Sequence, residues 1–269
     1  MANQTVYMEK IMIIAIESRS NEKIKSAQKL ASNGRFRKEK NEFFLEGLRL
    51  CSDAFESGIR VTQCFFTAKA RDKYGERLER IIQGADYSYI ITEDIADKLA
   101  ETQSSQGVFA VCSMRENKCD ISLEGKYIAL ENIQDPANLG AVIRTAEALG
   151  LDGAVLSGCC DCYNPKALRA SMGSLLRLPL IFTDDAEGYL SDCMAKGMTV
   201  LATTPDADAE RITELDLGGG VISVIGNEGN GVSREVLGIC RNVTIPMQGR
   251  AESLNASMAA AIVMWEMMR

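Results

Sequence analysis

The sequence predicts an α/β protein of two units, a C-terminal parallel-sheet α/β domain preceded by a smaller α/β domain. Three observations carry this. From Tyr127 onward the runs YIALENI, GAVLSG, LPLIF, TVLATT, VISVIG and VTIPM are apolar and rich in β-branched residues, without strict alternation. Strands buried on both faces of a parallel sheet read this way. Residues 19–113 hold a separate alternation of helical and extended pieces, about a hundred residues and so a common domain size. Between the two lies RENKCDISLEGK, Arg115–Lys126, a polar stretch with Asn, Asp and Gly that reads as a linker. The expected units are 1–115, with 1–17 as an extension, then 116–126 as linker, and 127–269.

In the first unit NEKIKSAQKLAS starts a helix near Asn21, and EFFLEG is a short strand followed by a helix through Ser57. VTQCFF is a strand, RDKYGERLERII a helix, YSYIIT a strand, DIADKLAE a helix and GVFAVCSM a closing strand. The run IMIIAI, Ile11–Ile16, lies between charged residues and is far shorter than the ~20 apolar residues that span a bilayer. It lacks a cleavage-site pattern, so neither an anchor nor a signal peptide is expected, and the chain reads as cytoplasmic.

Composition narrows the chemistry. The 269 residues are 46% hydrophobic, enough for a sizeable core, and contain no histidine. That excludes Ser-His-Asp and Cys-His catalysis and imidazole-ligated metals. Nine cysteines without a secretion signal suggest a reduced compartment. The cluster Cys159, Cys160, Cys162 has neither histidine nor a distant second pair, so no metal is expected. The net charge of −7 hides a local excess: Arg19–Arg49 holds nine basic and four acidic side chains. A basic patch of this kind can meet a phosphate backbone on an acidic protein. Within it GRFRKEKNEFFLEGLRL interleaves aromatics with charge, and Arg35, Arg37 and Lys38, with Arg49, are the expected contacts to nucleic-acid phosphate.

Three strand–turn–helix segments carry the candidate site. In DPANLGAVIRTAEALG, Asp135-Pro136 forces an extended entry, Asn138 is a candidate N-cap and Gly140 permits close approach of a backbone or ligand. Val142, Ile143, Ala146 and Leu149 form an apolar stripe, Arg144 points away from it, and Gly150 ends the helix. GNEGNGV, Gly226–Val232, follows the strand VISVI; glycines there let a ligand lie on bare backbone. Glu228 in its middle disfavours phosphate and favours a cationic or hydroxyl-bearing partner. IPMQGRAESLNAS, Ile245–Ser257, is a strand end, a turn and a helix start, with Ser253 as candidate N-cap and Asn255 in the first turn. The Met-rich helix that follows suits a core or a subunit interface.

In their order and spacing these segments resemble the three motifs of the SpoU (TrmH) family of RNA ribose 2′-O-methyltransferases. NPKALRASMGSLLRLPL is also similar to that family. SRSNEKIK, FLEGLRL and SQGVFAV resemble its ribosomal-protein-like RNA-binding domain. The resemblance covers nearly the whole chain from Ser18. It implies a deep trefoil knot (SPOUT), which pattern reasoning alone would not propose. It further implies a homodimer and bound S-adenosylmethionine, held by Gly226, Ile245 and Leu254 and, on a weaker match, Thr203 and Met247. Arg144 is then the essential group at the ribose, as base or orienter. Asn138 holds the ribose or Arg144, and Glu228 and Ser253 orient the Arg or the RNA; Asn255 belongs to the same set. The expected substrate is large-subunit rRNA. The alternatives are tRNA, a non-catalytic RNA-binding assembly factor, and an unrelated nucleotide-binding enzyme built on the glycine turns.

Overall fold

The computed structural model describes residues 12–115, 121–206 and 208–269, in two compact units, Met1–Met114 and Arg115–Arg269. Residues 1–11 of the expected extension and 116–120 of the expected linker lie outside the described residues.

The first unit runs β1 (Ile13–Ile16), α1 (Glu22–Ser32), α2 (Gly34–Lys40), β2 (Glu42–Glu46), α3 (Leu48–Glu56), β3 (Val61–Thr67), α4 (Ala68–Gly84), β4 (Tyr87–Ile91), α5 (Glu93–Leu99) and β5 (Val108–Ser113). Its five-stranded sheet has the order β1-β4-β3-β5-β2, parallel from β1 to β3 and antiparallel at β5 and β2. Ile13–Ile16, placed in the extension by the sequence, is an edge strand beside β4. Its β-branched residues gain half a ladder there and bury Ile16 at one end. Phe44 stacks on Phe109 and Phe65 on Tyr89, at 5.8 and 5.1 Å between ring centroids, and α1 and α5 pack over them.

Asn21 caps α1 through the Lys23 N–H, as expected. Asn33 ends that helix and caps the next one through the Phe36 N–H at 2.9 Å, so the basic stretch is a separate short helix. One of its basic residues is misassigned by the sequence. Arg37 is buried, and its Nη1 donates to the carbonyls of Leu30 and Ala31 at 2.5 and 3.0 Å. It ties α2 to the last turn of α1, which leaves the buried guanidinium engaged within the protein. Arg37→Ala should therefore lower unfolding stability by about 2–3 kcal/mol, read by denaturant titration. A loss of RNA affinity with unchanged stability would contradict this. In α4 the backbone breaks at Gly75, φ +49°, where the sequence suggests one continuous helix.

The second unit runs β6 (Lys126–Glu131), α6 (Pro136–Leu149), β7 (Gly153–Ser157), α7 (Pro165–Ala170), β8 (Leu180–Thr183), α8 (Ala186–Ala195), β9 (Thr199–Thr203), β10 (Glu210–Arg211), β11 (Val221–Ile225), α9 (Arg234–Ile239), β12 (Arg241–Thr244) and α10 (Ala256–Met268). All seven strands are parallel, in the order β10-β12-β9-β11-β6-β7-β8. Tyr127, Ala129, Val200, Ala202, Ile222 and Val224 pack with α8 and α9, while α6, α7 and α10 form the layer that buries Val142, Leu168 and Met264. Covering both faces explains the near-continuous apolar runs.

Three local readings are corrected. The N-cap of α6 is Asp135, whose Oδ1 accepts from the Ala137 N–H at 2.9 Å; Asn138 lies inside the first turn because Pro136 takes the opening helical position. Asn255, not Ser253, caps α10 through the Ser257 N–H at 2.9 Å. Leu149 is only half-buried, and Leu139 completes the stripe instead. Gly140 does meet a backbone: a Cβ there would lie 2.6 Å from the Ala167 carbonyl oxygen, so α6 and α7 touch only because it is glycine.

Candidate active site

Because the strands are parallel, the turns after β6, β9, β11 and β12 all emerge at one edge of the sheet, where such folds place their ligands. There the turns after β9, β11 and β12 enclose a cavity of about 330 Å³. Its wall includes Thr203 at the end of β9 with Thr204 and Pro205 after it, Gly226–Gly231 after β11, and Ile245, Met247, Glu252, Ser253 and Leu254 after β12. Ile245 and Met247 lie beyond the strand the sequence assigned them to, since β12 ends at Thr244. The Thr203 hydroxyl donates to the Val224 carbonyl at 2.8 Å, which fixes its rotamer at the cavity floor.

The glycine loop is folded back on itself. Asn227 and Gly231 exchange two backbone hydrogen bonds at 2.9 Å, and the Asn227 side chain accepts from the N–H groups of Gly229 and Asn230. Asn227 Nδ2 also donates to the Asn132 carbonyl at 2.8 Å, anchoring this loop to the one after β6. Gly226 sits against the return strand of the loop. A Cβ there would be 2.1 Å from the Gly231 carbonyl carbon and the Val232 nitrogen.

A chain of polar side chains joins the three motif loops. Asn255 Nδ2 donates to Asn138 Oδ1 at 3.2 Å, and Asn138 Nδ2 donates to Glu228 Oε1 at 3.0 Å. Glu228 further accepts from the N–H groups of Asp135 at 3.2 Å and Gln134 at 3.3 Å. Partial burial pushes the Glu228 carboxyl up, but the hydrogen bonds from Asn138 and the backbone outweigh it and hold it below the usual carboxylate range. Its contribution to loop order is thus present above the ordinary carboxylate pKa and lost as pH falls through the lower folded value. In urea titrations the stability gap between wild type and Glu228→Gln should be open at neutral pH and close below about pH 4. A gap that persists at lower pH would mean the carboxylate charge is not what organises the loop.

The structure thus brings Asn138, Glu228 and Asn255 together and places Ser253 in the cavity wall. Arg144 is not bonded to them. It lies six residues beyond Asn138, about 9 Å along the axis of α6, exposed and without a hydrogen bond or ion pair among the described residues. Glu228 bonds Asn138 and the N–H groups of Gln134 and Asp135, and makes no bond to Arg144. Arg35, Lys38 and Arg49 are exposed in the first unit, Arg35 paired with Glu39 at 3.0 Å.

Sequence reasoning missed Asn227 and Glu131. Glu131 is buried at the end of β6, and its Oε2 accepts from the Ser233 N–H at 2.8 Å, tying β6 to the start of α9. A carboxylate closing an apolar strand was the available signal. Of the cysteine trio, burial pushes the thiols of Cys159 and Cys160 up to about 11 and about 12, and raises Cys162 as well. All three are protonated at neutral pH. Among the described residues no group of three or more Cys, Asp or Glu side chains has the geometry to hold a metal ion.

A parallel sheet carrying a small-molecule cavity and a polar relay on the loops beyond its carboxyl ends defines an α/β enzyme of the cofactor-binding kind. The chain belongs to the SpoU rRNA Methylase family, whose profile matches residues 125–265, and residues 21–110 match the MRM3-like substrate binding domain. It is 34% identical to the 23S rRNA (guanosine(2553)-2′-O)-methyltransferase RlmP of Bacillus subtilis, over 94% of this chain and 98% of that protein. Its identity to the 23S rRNA (uridine(2479)-2′-O)-methyltransferase of Streptomyces viridochromogenes is 29%, over 93% of this chain and 90% of that one. Among solved structures, the AdoMet-bound rRNA methyltransferase of Sinorhizobium meliloti superposes with a TM-score of 0.84 at 26% identity, over 95% of this chain and 97% of that one. The SpoU methyltransferase AviRb of Streptomyces viridochromogenes, in complex with AdoMet, gives 0.81 at 27% identity, over 92% and 97%.

Proposed function

We propose that this protein transfers a methyl group from S-adenosylmethionine to a ribose 2′-hydroxyl of large-subunit rRNA. The observation that carries the reading is the shared position of Glu228, which lines the cavity and also holds Asn138 at the end of the polar chain. The cavity volume suits one small ligand. Its wall offers bare glycine backbone and two carboxylates, Glu228 and Glu252, with no Lys or Arg. That wall fits a cationic nucleoside and disfavours a phosphate-bearing one such as NAD or ATP. Thr203, Gly226, Ile245, Met247 and Leu254 would hold S-adenosylmethionine, which supplies a methyl group already activated on a sulfonium.

The remaining work falls to this chain's side chains. A ribose hydroxyl must be positioned and relieved of its proton. The chain Asn255–Asn138–Glu228 presents fixed amides at the cavity rim, suited to hold a hydroxyl. Arg144, without a hydrogen bond or ion pair among the described residues, is available to the RNA. A guanidinium keeps its proton across the physiological range, so Arg144 serves as a donor that orients the ribose or its phosphate. The hydroxyl proton then passes to the phosphate or to water. Arg35, Lys38 and Arg49 in the first unit supply backbone contacts that position the RNA.

Three further parts of the reading are proposals of the same kind. Met258, Ile262, Trp265 and Met268 leave an apolar stripe exposed along α10, which suits a homodimer through the C-terminal unit. The C-terminal unit is read as knotted, in line with the family. No described helix is long and apolar enough to cross a membrane, and an rRNA substrate suits the cytoplasm.

The test is incubation of purified protein with unmodified rRNA and tRNA pools and S-adenosylmethionine labelled in the methyl group. Digestion should yield a labelled 2′-O-methylnucleoside from rRNA. A labelled base would overturn the ribose assignment, and label confined to tRNA would overturn the substrate. Sedimentation of the same preparation at the 29.4 kDa chain mass would remove the dimer.

A further inference from the structure

We propose that Glu252 makes the cavity select the cationic methyl donor over its neutral spent form, and so sets how readily product leaves. The inference rests on the cofactor reading above and deepens it, giving Glu252 a role in telling the donor from the product.

Of the two carboxylates in the wall, Glu228 is spent on Asn138 and the N–H groups of Gln134 and Asp135. Glu252 is exposed and has no hydrogen bond or ion pair among the described residues, although it lies beside Ser253 and Leu254 on the cavity wall. No Lys or Arg in the wall neutralises it. A carboxylate on a cavity wall that holds no cation of its own attracts positive charge.

The reaction changes that charge. The S–CH3 bond breaks with its electron pair left on sulfur, an O–CH3 bond forms, and the hydroxyl proton leaves to phosphate or water. The sulfonium becomes a thioether, so the ligand falls from a net charge of +1 to zero. A carboxylate on the wall of the same cavity then loses its attraction at the moment of transfer. Because the site is open to water, the effect is moderate and sensitive to salt. Glu252 acts as a selectivity residue and touches no reacting atom.

Calorimetric titration of the full chain with S-adenosylmethionine, with S-adenosylhomocysteine and with an amine analogue carrying its cation at the sulfonium position tests this. In Glu252→Gln the preference for the two cationic ligands over the thioether should fall by about three- to tenfold, with S-adenosylhomocysteine affinity nearly unchanged. Glu252→Lys should lower the preference further. In the wild type the preference should shrink as salt rises toward 1 M, where screening acts over about 3 Å. Melting temperatures of both variants confirm folding. Binding of all three ligands with an unchanged preference in Glu252→Gln would overturn this inference alone. If the wild type bound neither S-adenosylmethionine nor S-adenosylhomocysteine, the cofactor reading would fail and this one with it.

Discussion

Arg144→Ala is expected to slow methyl transfer by at least about a hundredfold, while the melting temperature and the affinity for S-adenosylmethionine stay at wild-type values. The second half of that statement follows from the structure. Arg144 is exposed on α6, without a hydrogen bond or ion pair among the described residues, and it is absent from the cavity wall. Removing it leaves no buried group unpaired and no space unfilled, so the fold has nothing to lose. Single-turnover transfer, thermal unfolding and calorimetry read the three quantities separately. Arg144→Lys keeps the charge but not the planar fork of donors, and is expected to recover little. Transfer by Arg144→Ala within a few-fold of wild type would show that this side chain is an ordinary solvated arginine. A drop in stability would show instead that it has a structural partner.

Gly226→Ala should cost about 3 kcal/mol or more in stability, beyond the usual range for one added methyl in a packed site, and should abolish cofactor binding. The added carbon would stand 2.1 Å from the Gly231 carbonyl carbon and the Val232 nitrogen. These are backbone atoms, so no rotamer change relieves the clash and the loop must open. Opening it separates Asn227 from Gly231, shifts Glu228 and loosens the tie to Asn138. Gly229→Ala is the control, because its nearest neighbour to a Cβ is Asn227 Oδ1 at 3.6 Å, an ordinary contact. It should fold and bind as wild type. Equal damage from the two substitutions would mean the loop tolerates no side chain for reasons other than crowding at Gly226.

Legibility differed between the parts of the site. The cavity side was well marked. Thr203, Gly226, Ile245, Met247 and Leu254 follow strands whose apolar runs are unmistakable, and the structure places all five in one wall. The family resemblance named these residues, and turns after parallel strands converge at one edge of a sheet, which is why they can share a wall. The polar chain was half legible. Asn138, Glu228 and Asn255 were singled out, but their partners were not, because residues about 90 and 117 apart in sequence meet only through the sheet order. Asn227 was overlooked because an asparagine beside glycines reads as turn chemistry, and here it is also a tether between two loops. Arg37 failed for a plainer reason. A charge in a basic run reads as solvated, and nothing local reveals that Asn33 turns the chain so that its guanidinium falls on the open carbonyls of the preceding helix.

By itself the sequence determined what depends on periodicity and local chemistry. That covers the two α/β units, the apolar strands of a doubly covered sheet, the absence of imidazole chemistry, and the three motif turns with their glycines and amides. Tertiary structure alone decided which atoms those turns present to one another. The order β12-β9-β11-β6 sets the turns after non-consecutive strands side by side. Glu228 then closes on Asn138, while among the described residues Glu252 in the cavity wall and Arg144 on α6 have no partner. Pairing of this kind is a long-range property. It is fixed by the packing of strands far apart in the chain, and no window of sequence contains both partners.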